Sequence, residues 1–137
     1  QITTTNAFTA LDSGLPNGRG ITDEVIVEKD LVEGSPHSGD FQTYWKEIGR
    51  RITQRWGERA RSVMREKPDR TPRVRFRLYP NGIPQIIYLE RSSGNQWIDE
   101  AGLESVVDTQ PFLPFPASLA DPYVNVYVDF RLEARSR

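Results

Sequence analysis

The stretch RVRFRLYPNGIPQIIYLER, residues 73–91, alternates apolar and charged side chains, turns once and returns as a second extended run. Val74, Phe76 and Leu78 share one side of the first run and arginines occupy the other, as in a strand with one buried face. The PNG segment at 80–82 predicts a tight turn, because Asn and Gly tolerate a positive φ. The stretch therefore predicts a β-hairpin whose apolar face other elements must cover.

A helix is predicted on each side of this hairpin. Apolar residues recur every three or four positions from 41 to 64, which predicts an amphipathic helix that Asp40 caps and that Gly57 or Pro68 ends. The turn at 92–95 can cap a second helix, which must stop before the prolines at 111–116. The predicted apolar positions are Phe41, Tyr44, Trp45, Ile48, Ile52, Trp56, Ala60, Val63 and Met64, then Trp97, Ile98, Ala101, Ser105 and Val106.

Residues 123–132 alternate cleanly and predict a long final strand. One side carries Val124, Val126, Val128, Phe130 and Leu132, and the other carries Tyr123, Asn125, Tyr127, Asp129 and Arg131. The order is helix, strand, turn, strand, helix, strand. Each element has one apolar stripe to bury, so we expect an α+β fold with a three-stranded antiparallel sheet and two helices packed on one face.

The first forty residues differ in composition from the rest. They are acidic and rich in Thr, Asn, Gly and Ser, and the GSPHSG segment at 34–39 breaks any regular structure. We expect a tail or linker over residues 1–40 and a folded domain over residues 41–137. Within the tail, the short β-branched run at 22–28 is typical of a strand that adds to the edge of another sheet, and a disordered tail is the alternative.

Residue types argue against catalysis. The chain has no Cys, and its one histidine, His37, lies in the linker without a second histidine for a metal site or a triad. Ser92 and Ser93 have no base beside them and suit a turn and a cap. Asp99, Glu100 and Glu104 fall on the surface of the predicted second helix, and because no cleft is predicted around them we expect them to be exposed to solvent. We expect no catalytic residue, no metal and no cofactor.

The arginines between residues 50 and 77 raise the question of nucleic-acid binding, since clustered cations release counterions from phosphates. They lie opposite apolar stripes, where a solvated face or contact with an acidic partner or the cell wall is the simpler interpretation. The formal net charge is −1, and no apolar run approaches the length of a membrane span. We therefore expect a protein-binding module that does not bind nucleic acid. We expect Trp45, Trp56 and Trp97 in the core or covering the sheet, with one of them lining a partner groove as the alternative.

Three segments in order resemble the TonB/TolA C-terminal domain family. They are VRFRLYPNGI at 74–83, RSSG at 91–94 followed by IDEAG at 98–102, and QPFLPFP at 110–116, which is similar to the proline–phenylalanine exit of that family. The resemblance covers about residues 44–132. The Tyr-Pro pair that precedes the first strand in many TonB proteins is missing, and the long first helix with Trp56 is more similar to TolA, so both branches remain open.

The resemblance implies a periplasmic domain of an energy transducer, anchored in the inner membrane by an upstream segment absent from this chain. It implies a proton-driven motor complex as one partner, and an outer-membrane TonB-dependent transporter or a Tol-type protein as the other, with cargo such as iron siderophores. In such proteins the last strand lies at a sheet edge, and an extended partner segment adds to it. The residues that this assigns to partner binding are Tyr123, Val124, Asn125, Val126, Tyr127, Val128, Asp129 and Arg131.

The segment at 22–28 resembles the TonB box of outer-membrane transporters, an acidic residue followed by β-branched residues. Its members are Asp23, Glu24, Val25, Ile26 and Val27. We expect it to pair with a sheet edge, either as a natural strand of this chain or as a fused partner segment. A homodimer is a further possibility, and an envelope assembly module that uses the fold for oligomerisation or cell-wall contact is the alternative function.

Overall fold

A computed structural model describes residues 5–9 by their backbone, and residues 24–31 and 39–132. The elements are β1 (Thr5–Thr9), β2 (Glu24–Leu31), α1 (Gly39–Val63), β3 (Arg73–Leu78), β4 (Pro84–Arg91), α2 (Gln96–Thr109) and β5 (Val124–Arg131). All strand pairs are antiparallel, and the sheet order is β1-β2-β5-β3-β4. The α+β class is confirmed. The predicted three strands are β3, β4 and β5, and the predicted added strand is β2, which β1 flanks on its outer side.

Helix α1 buries the apolar stripe that its period predicts. Trp45 and Trp56 are 1% and 0% exposed, and the Trp56 ring packs on Phe130 of β5 at 4.9 Å between centroids. The helix continues through Gly57 and ends at Val63. Met64 was expected in this stripe, but it follows the helix and is exposed. The stripe therefore ends one residue earlier than the sequence predicts.

Helix α2 begins where the sequence places a cap. The side-chain oxygen of Asn95 accepts hydrogen bonds from the backbone N–H groups of Trp97 and Ile98 at 2.9 and 3.1 Å. Ile98 is buried, whereas the neighbouring Trp97 is 55% exposed, so the expectation of a core or sheet-covering Trp97 was wrong. Because adjacent helical residues point about 100° apart, only one of this pair can face the sheet.

The hairpin turn also holds the exit segment that follows α2. Gly82 donates its N–H to the Tyr79 carbonyl, and its own carbonyl accepts from the Phe112 N–H, both at 2.8 Å. The Phe112 ring stacks on Phe76 of β3 at 5.5 Å. The segment is thereby fixed to the sheet, as its aromatic residues predict.

Strand β4 contains a β-bulge with a strained residue. Arg75 pairs with Tyr88 and Arg77 with Gln85, so two residues of β4 stand opposite one residue of β3. One of the two, Ile86, has a φ of 55° and is 61% exposed. A β-branched residue at positive φ is a backbone outlier, and the bulge adds an exposed apolar side chain to this part of the sheet.

Replacing Ile86 with glycine should raise the free energy of unfolding by about 0.5–1 kcal/mol, because glycine adopts a positive φ without steric strain. Urea denaturation measures the change. Gln85→Gly is the matched control: Gln85 is also exposed in β4 but has a negative φ, so this change should be destabilising. A loss of stability in Ile86→Gly equal to that in the control would contradict the bulge geometry.

Candidate functional site

The final strand does not lie at an edge of the sheet. β5 pairs with β2 from Arg131 to Val124 on one side and with β3 from Asp129 to Val124 on the other. This corrects the expected open edge at residues 123–131. The physical reason is that β2 covers the backbone groups on the side of β5 away from β3. Whether these residues bind a partner protein stays a prediction.

Strand β2 completes the core on the helix side. Val25, Val27 and Leu31 are all buried, and Val27 stands opposite Val128 in the ladder. The strand starts at Glu24 and runs three residues beyond the predicted end at residue 28. Asp23 lies outside the described residues, as does His37, and Tyr123 directly precedes β5.

Polar contacts join β2 to the sheet on its open face, the face opposite the helices. Arg73 of β3 donates to both carboxylate oxygens of Asp129, at 2.7 and 3.2 Å, and reaches across β5 to Glu28 of β2 at 2.9 Å. The hydrogen bonding of the Arg73 guanidinium to the Asp129 carboxylate is the main reason that the pKa of Arg73 is raised. Three strands are therefore linked by one cation.

A second contact on the open face also joins β2 to β5. The Tyr127 hydroxyl donates to a carboxylate oxygen of Asp30 at 3.0 Å. Burial is the first cause of the raised pKa of Tyr127, and this hydrogen bond adds to it. The seam between β2 and β5 is thus apolar on one side of the sheet and joined by charged and hydroxyl groups on the other.

One side chain on the buried side of β2 does not fit an apolar core. Lys29 is 2% exposed, and its ammonium lies 5.2 Å from the centroid of Trp45 and 5.9 Å from that of Phe41. Desolvation lowers the pKa of Lys29 to about 8. A charged side chain therefore lies between β2 and the first turns of α1, where the other inward residues are apolar.

The rest of the open face carries a row of arginines along β3. Arg73, Arg75 and Arg77 alternate with buried residues and so lie on one side of the sheet. Arg75 stands opposite Tyr127 and Arg77 opposite Asn125. The row differs in its partners, because Arg73 contacts two carboxylates.

Aromatic rings take the place of carboxylates at the other two arginines. The Arg77 guanidinium lies 4.1 Å from the centroid of the Tyr123 ring. The Arg75 guanidinium lies 5.2 Å from the centroid of the Tyr127 ring, and it donates a hydrogen bond to the Tyr88 hydroxyl at 3.2 Å. Together they border an open cavity of about 110 Å³. Its lining residues are Arg75, Phe76, Arg77, Ile86, Tyr88 and Asn125. The alternation of β3 predicts a solvated arginine side, but no residue of the sequence signals this cavity, because the bulge that forms it has no glycine.

The arginines of α1 have a different environment. Arg50 and Arg51 pair with Glu47 one turn earlier, and Arg59 pairs with Glu104 and Asp108 of α2. These pairs lie at the helix surface, exposed or half-buried, and they join the arginines to carboxylates of the chain itself. They form the solvated face that the sequence predicts.

Asp99, Ser92 and Ser93, which could be mistaken for catalytic residues, bond to one another at the start of α2. The Asp99 carboxylate accepts from the Ser92 hydroxyl and from the Ser93 N–H. Over the ranges described above, no group of three or more His, Cys, Asp or Glu side chains is arranged to hold a metal ion. Within the same ranges, no helix combines the length and apolar character of a membrane span.

Comparison with protein-family models matches residues 41–130 to the TonB C-terminal family. The chain belongs to this family. The match covers more than half of the chain, and it includes most of α1, all of β3, β4 and α2, and most of β5. No curated protein and no solved structure matched the chain.

TonB C-terminal domains are periplasmic, non-enzymatic parts of energy transducers that interact with outer-membrane transporters or motor proteins. Strand β2 at Glu24–Leu31 lies outside the matched residues. We call the matched part, which is the three-stranded part of the sheet with its two helices, the TonB-type domain; β2 pairs with it on its β5 side.

Proposed function

We propose that this TonB-type domain binds an extended segment of an outer-membrane transporter or Tol-type protein by β-strand addition to β5. In this proposal it is the periplasmic end of an energy transducer driven from the inner membrane. The supporting observation is that β2, outside the family match, pairs with β5 over eight positions. β2 is then the chain's own occupant of the binding edge, and a partner segment replaces it.

The environment of β2 defines what a replacing segment must offer. Its backbone must pair with β5, and its inward side chains must fill the space of Val25, Val27 and Leu31 above α1. An outward carboxylate at the position of Glu28 would accept from Arg73. The expected partner segment alternates apolar residues with outward acidic ones.

The buried lysine makes exchange favourable. Burying Lys29 beside Phe41 and Trp45 costs free energy that an apolar residue at the same position would not. A partner segment with an apolar residue there would therefore pair with β5 more tightly than β2 does. β2 and the partner compete for the same edge. The apparent Kd of the partner is therefore its intrinsic Kd divided by the fraction of chains in which β2 is undocked.

A reversible disulfide between β2 and β5 tests the proposal in the full chain. Asp30 and Asn125 face each other in the ladder, and facing residues of antiparallel strands are at a distance that a disulfide spans. In the double variant Asp30→Cys/Asn125→Cys, the chain's own lack of cysteine leaves one possible bridge. The probe is a labelled peptide copying residues 24–31 with the Lys29→Met substitution. We expect the reduced chain to bind it at least about 10-fold more tightly than the oxidised chain by fluorescence anisotropy.

The single variant Asp30→Cys is the control, and its affinity for the peptide should be the same under both redox conditions. Equal binding by the oxidised and reduced double variants, or no binding by the reduced one, would reject strand addition at β5. Binding of cell-wall fragments in place of the peptide would favour the envelope assembly function.

A further inference from the structure

A second binding surface lies on the other half of the open face and does not depend on the β5 edge. We propose that the cavity beside Arg75 and Arg77 binds the carboxylates of an acidic, extended protein segment. The residues that form it are on β3, β4 and β5, all within the TonB-type domain.

The arginines in the row on β3 differ in their anionic partners. Arg73 has two carboxylate partners, Asp129 and Glu28, at hydrogen-bond distance. Among the residues whose positions are described, no carboxylate pairs with Arg75 or Arg77. Described carboxylates therefore neutralise the Arg73 end of the row but not the Arg75 and Arg77 end. A ligand that complements this end would carry two anionic groups.

The rings beside these two arginines hold them in place. Arg77 lies over Tyr123, and Arg75 lies over Tyr127 and donates to Tyr88. A guanidinium stacked on an aromatic ring keeps its edge N–H groups free for a planar carboxylate. Because fewer rotamers must be frozen on binding, a held arginine loses less entropy than a free surface arginine.

The spacing of the two arginines favours an extended peptide. Alternate residues of a strand lie about 6.7 Å apart, so side chains two positions apart in an extended ligand have the same spacing. Two carboxylates separated by one residue can therefore meet both guanidinium groups at once. The cavity is an open depression of about 110 Å³, well below the roughly 300–1,000 Å³ of typical small-molecule sites, and this size fits side-chain carboxylates of a larger partner.

The apolar groups at the cavity rim fit the side chains between the acids. Ile86 and Tyr88 are 61% and 40% exposed on β4, the outermost strand on this side of the sheet. The bulge at Ile86 directs an apolar group toward solvent at a backbone cost, and strained positions that persist are often those used for binding. The partner that this surface fits is an acidic segment with alternating apolar residues.

The test uses the full chain and a labelled peptide with alternating glutamate and valine. We expect the double variant Arg75→Gln/Arg77→Gln to bind it at least about 10-fold more weakly, because each charge-assisted pair contributes substantially to affinity. Affinity should also fall as salt is raised from 0.05 to 0.5 M, roughly as expected for screened ion pairs. Anisotropy measures affinity, and NMR should place the shifts on β3 and β4.

Arg61→Gln is the matched control, since Arg61 is an exposed arginine of α1 outside this surface. The Arg61→Gln chain should bind the acidic peptide with the affinity of the unmodified chain. A peptide with glutamine in place of glutamate should bind neither of these two chains. Equal affinity of the double variant and the unmodified chain would overturn the proposal. So would preference for an oligonucleotide or a cell-wall fragment over the peptide.

The proposal for the β5 edge and the proposal for the cavity can be rejected independently of each other. Because Asn125 also lines the cavity, the comparison is made between the two redox states of the same double cysteine variant, which differ only in whether β2 is locked onto β5. The arginine variants change the cavity and leave the pairing of β2 with β5 in place. A chain that binds the acidic peptide equally in the oxidised and reduced double cysteine variant supports a separate site. Loss of acidic-peptide binding on oxidation would assign that peptide to the β5 edge and overturn the second site.

Discussion

Substituting alanine for Gly82 should lower the free energy of unfolding by at least about 3 kcal/mol. Gly82 has a φ of 85°, and a Cβ there would clash with the Phe112 carbonyl oxygen and lie 3.0 Å from that of Leu113. Both contacts are with backbone, so no side chain can rotate away. Relief would require breaking the 2.8 Å hydrogen bond between Gly82 and Phe112, which fixes the exit segment to the hairpin.

Urea denaturation of Gly82→Ala and Gly57→Ala separates this effect from the general effect of adding a methyl group. Gly57 lies inside α1 with open space around its Cβ position, so Gly57→Ala should be stabilising by about 0.5–1 kcal/mol. The two variants should move the denaturation midpoint in opposite directions. A Gly82→Ala chain within about 1 kcal/mol of the unmodified chain would mean that the turn does not contact the exit segment.

The same turn illustrates what the sequence could predict. Local chemistry decides such features: an Asn-Gly pair permits a positive φ, an asparagine oxygen caps α2, and alternation identifies β3 and β5. These predictions need only residues close in the chain. They were confirmed for the hairpin, both helices and the fold class.

The position of β5 in the sheet needed more than local chemistry. Alternation assigns each side chain to a face but carries no information on which strands lie beside it. A strand between two neighbours and a strand at an edge can have the same pattern when one face is buried. β5 therefore looked like an edge strand until β2 was placed beside it.

Two features of the site could not be predicted because Lys29 and Ile86 do not match the usual sequence patterns. Lys29 interrupts the inward run of Val25, Val27 and Leu31, so the apolar period appeared to stop early. Ile86 occupies a bulge position that normally signals itself with glycine. Both are places where tertiary structure imposes an unfavourable local environment, and functional sites often have this property.

Substituting methionine for Lys29 should raise the free energy of unfolding at pH 7 by about 2–3 kcal/mol. The lysine pKa falls from 10.5 to about 8 because burial disfavours the ammonium. At pH 7, below the folded pKa, Lys29 keeps its charge in the folded chain, where burial makes that charge unfavourable. Methionine has a similar length without the charge, and it packs well against aromatic rings such as Trp45 and Phe41.

The pH dependence follows from the same shift. Between the folded pKa of about 8 and the unfolded value of 10.5, the unfolded chain binds more protons at Lys29 than the folded chain. Stability of the unmodified chain should therefore rise from pH 8 to about 9.5. Above that range Tyr44 opposes the rise, because burial raises its pKa and only the unfolded tyrosine ionises.

Denaturation at pH 7, 8.5 and 9.5 compares Lys29→Met with Lys46→Met, which removes an exposed lysine of the same helix–strand region. The rise with pH should vanish in Lys29→Met and persist in Lys46→Met. If β2 is the displaceable occupant of the β5 edge, Lys29→Met should also weaken binding of the added strand peptide, because a more stable β2 competes better. A stability gain with unchanged peptide affinity would separate the buried charge from strand exchange, and it would leave β2 as a fixed member of the sheet.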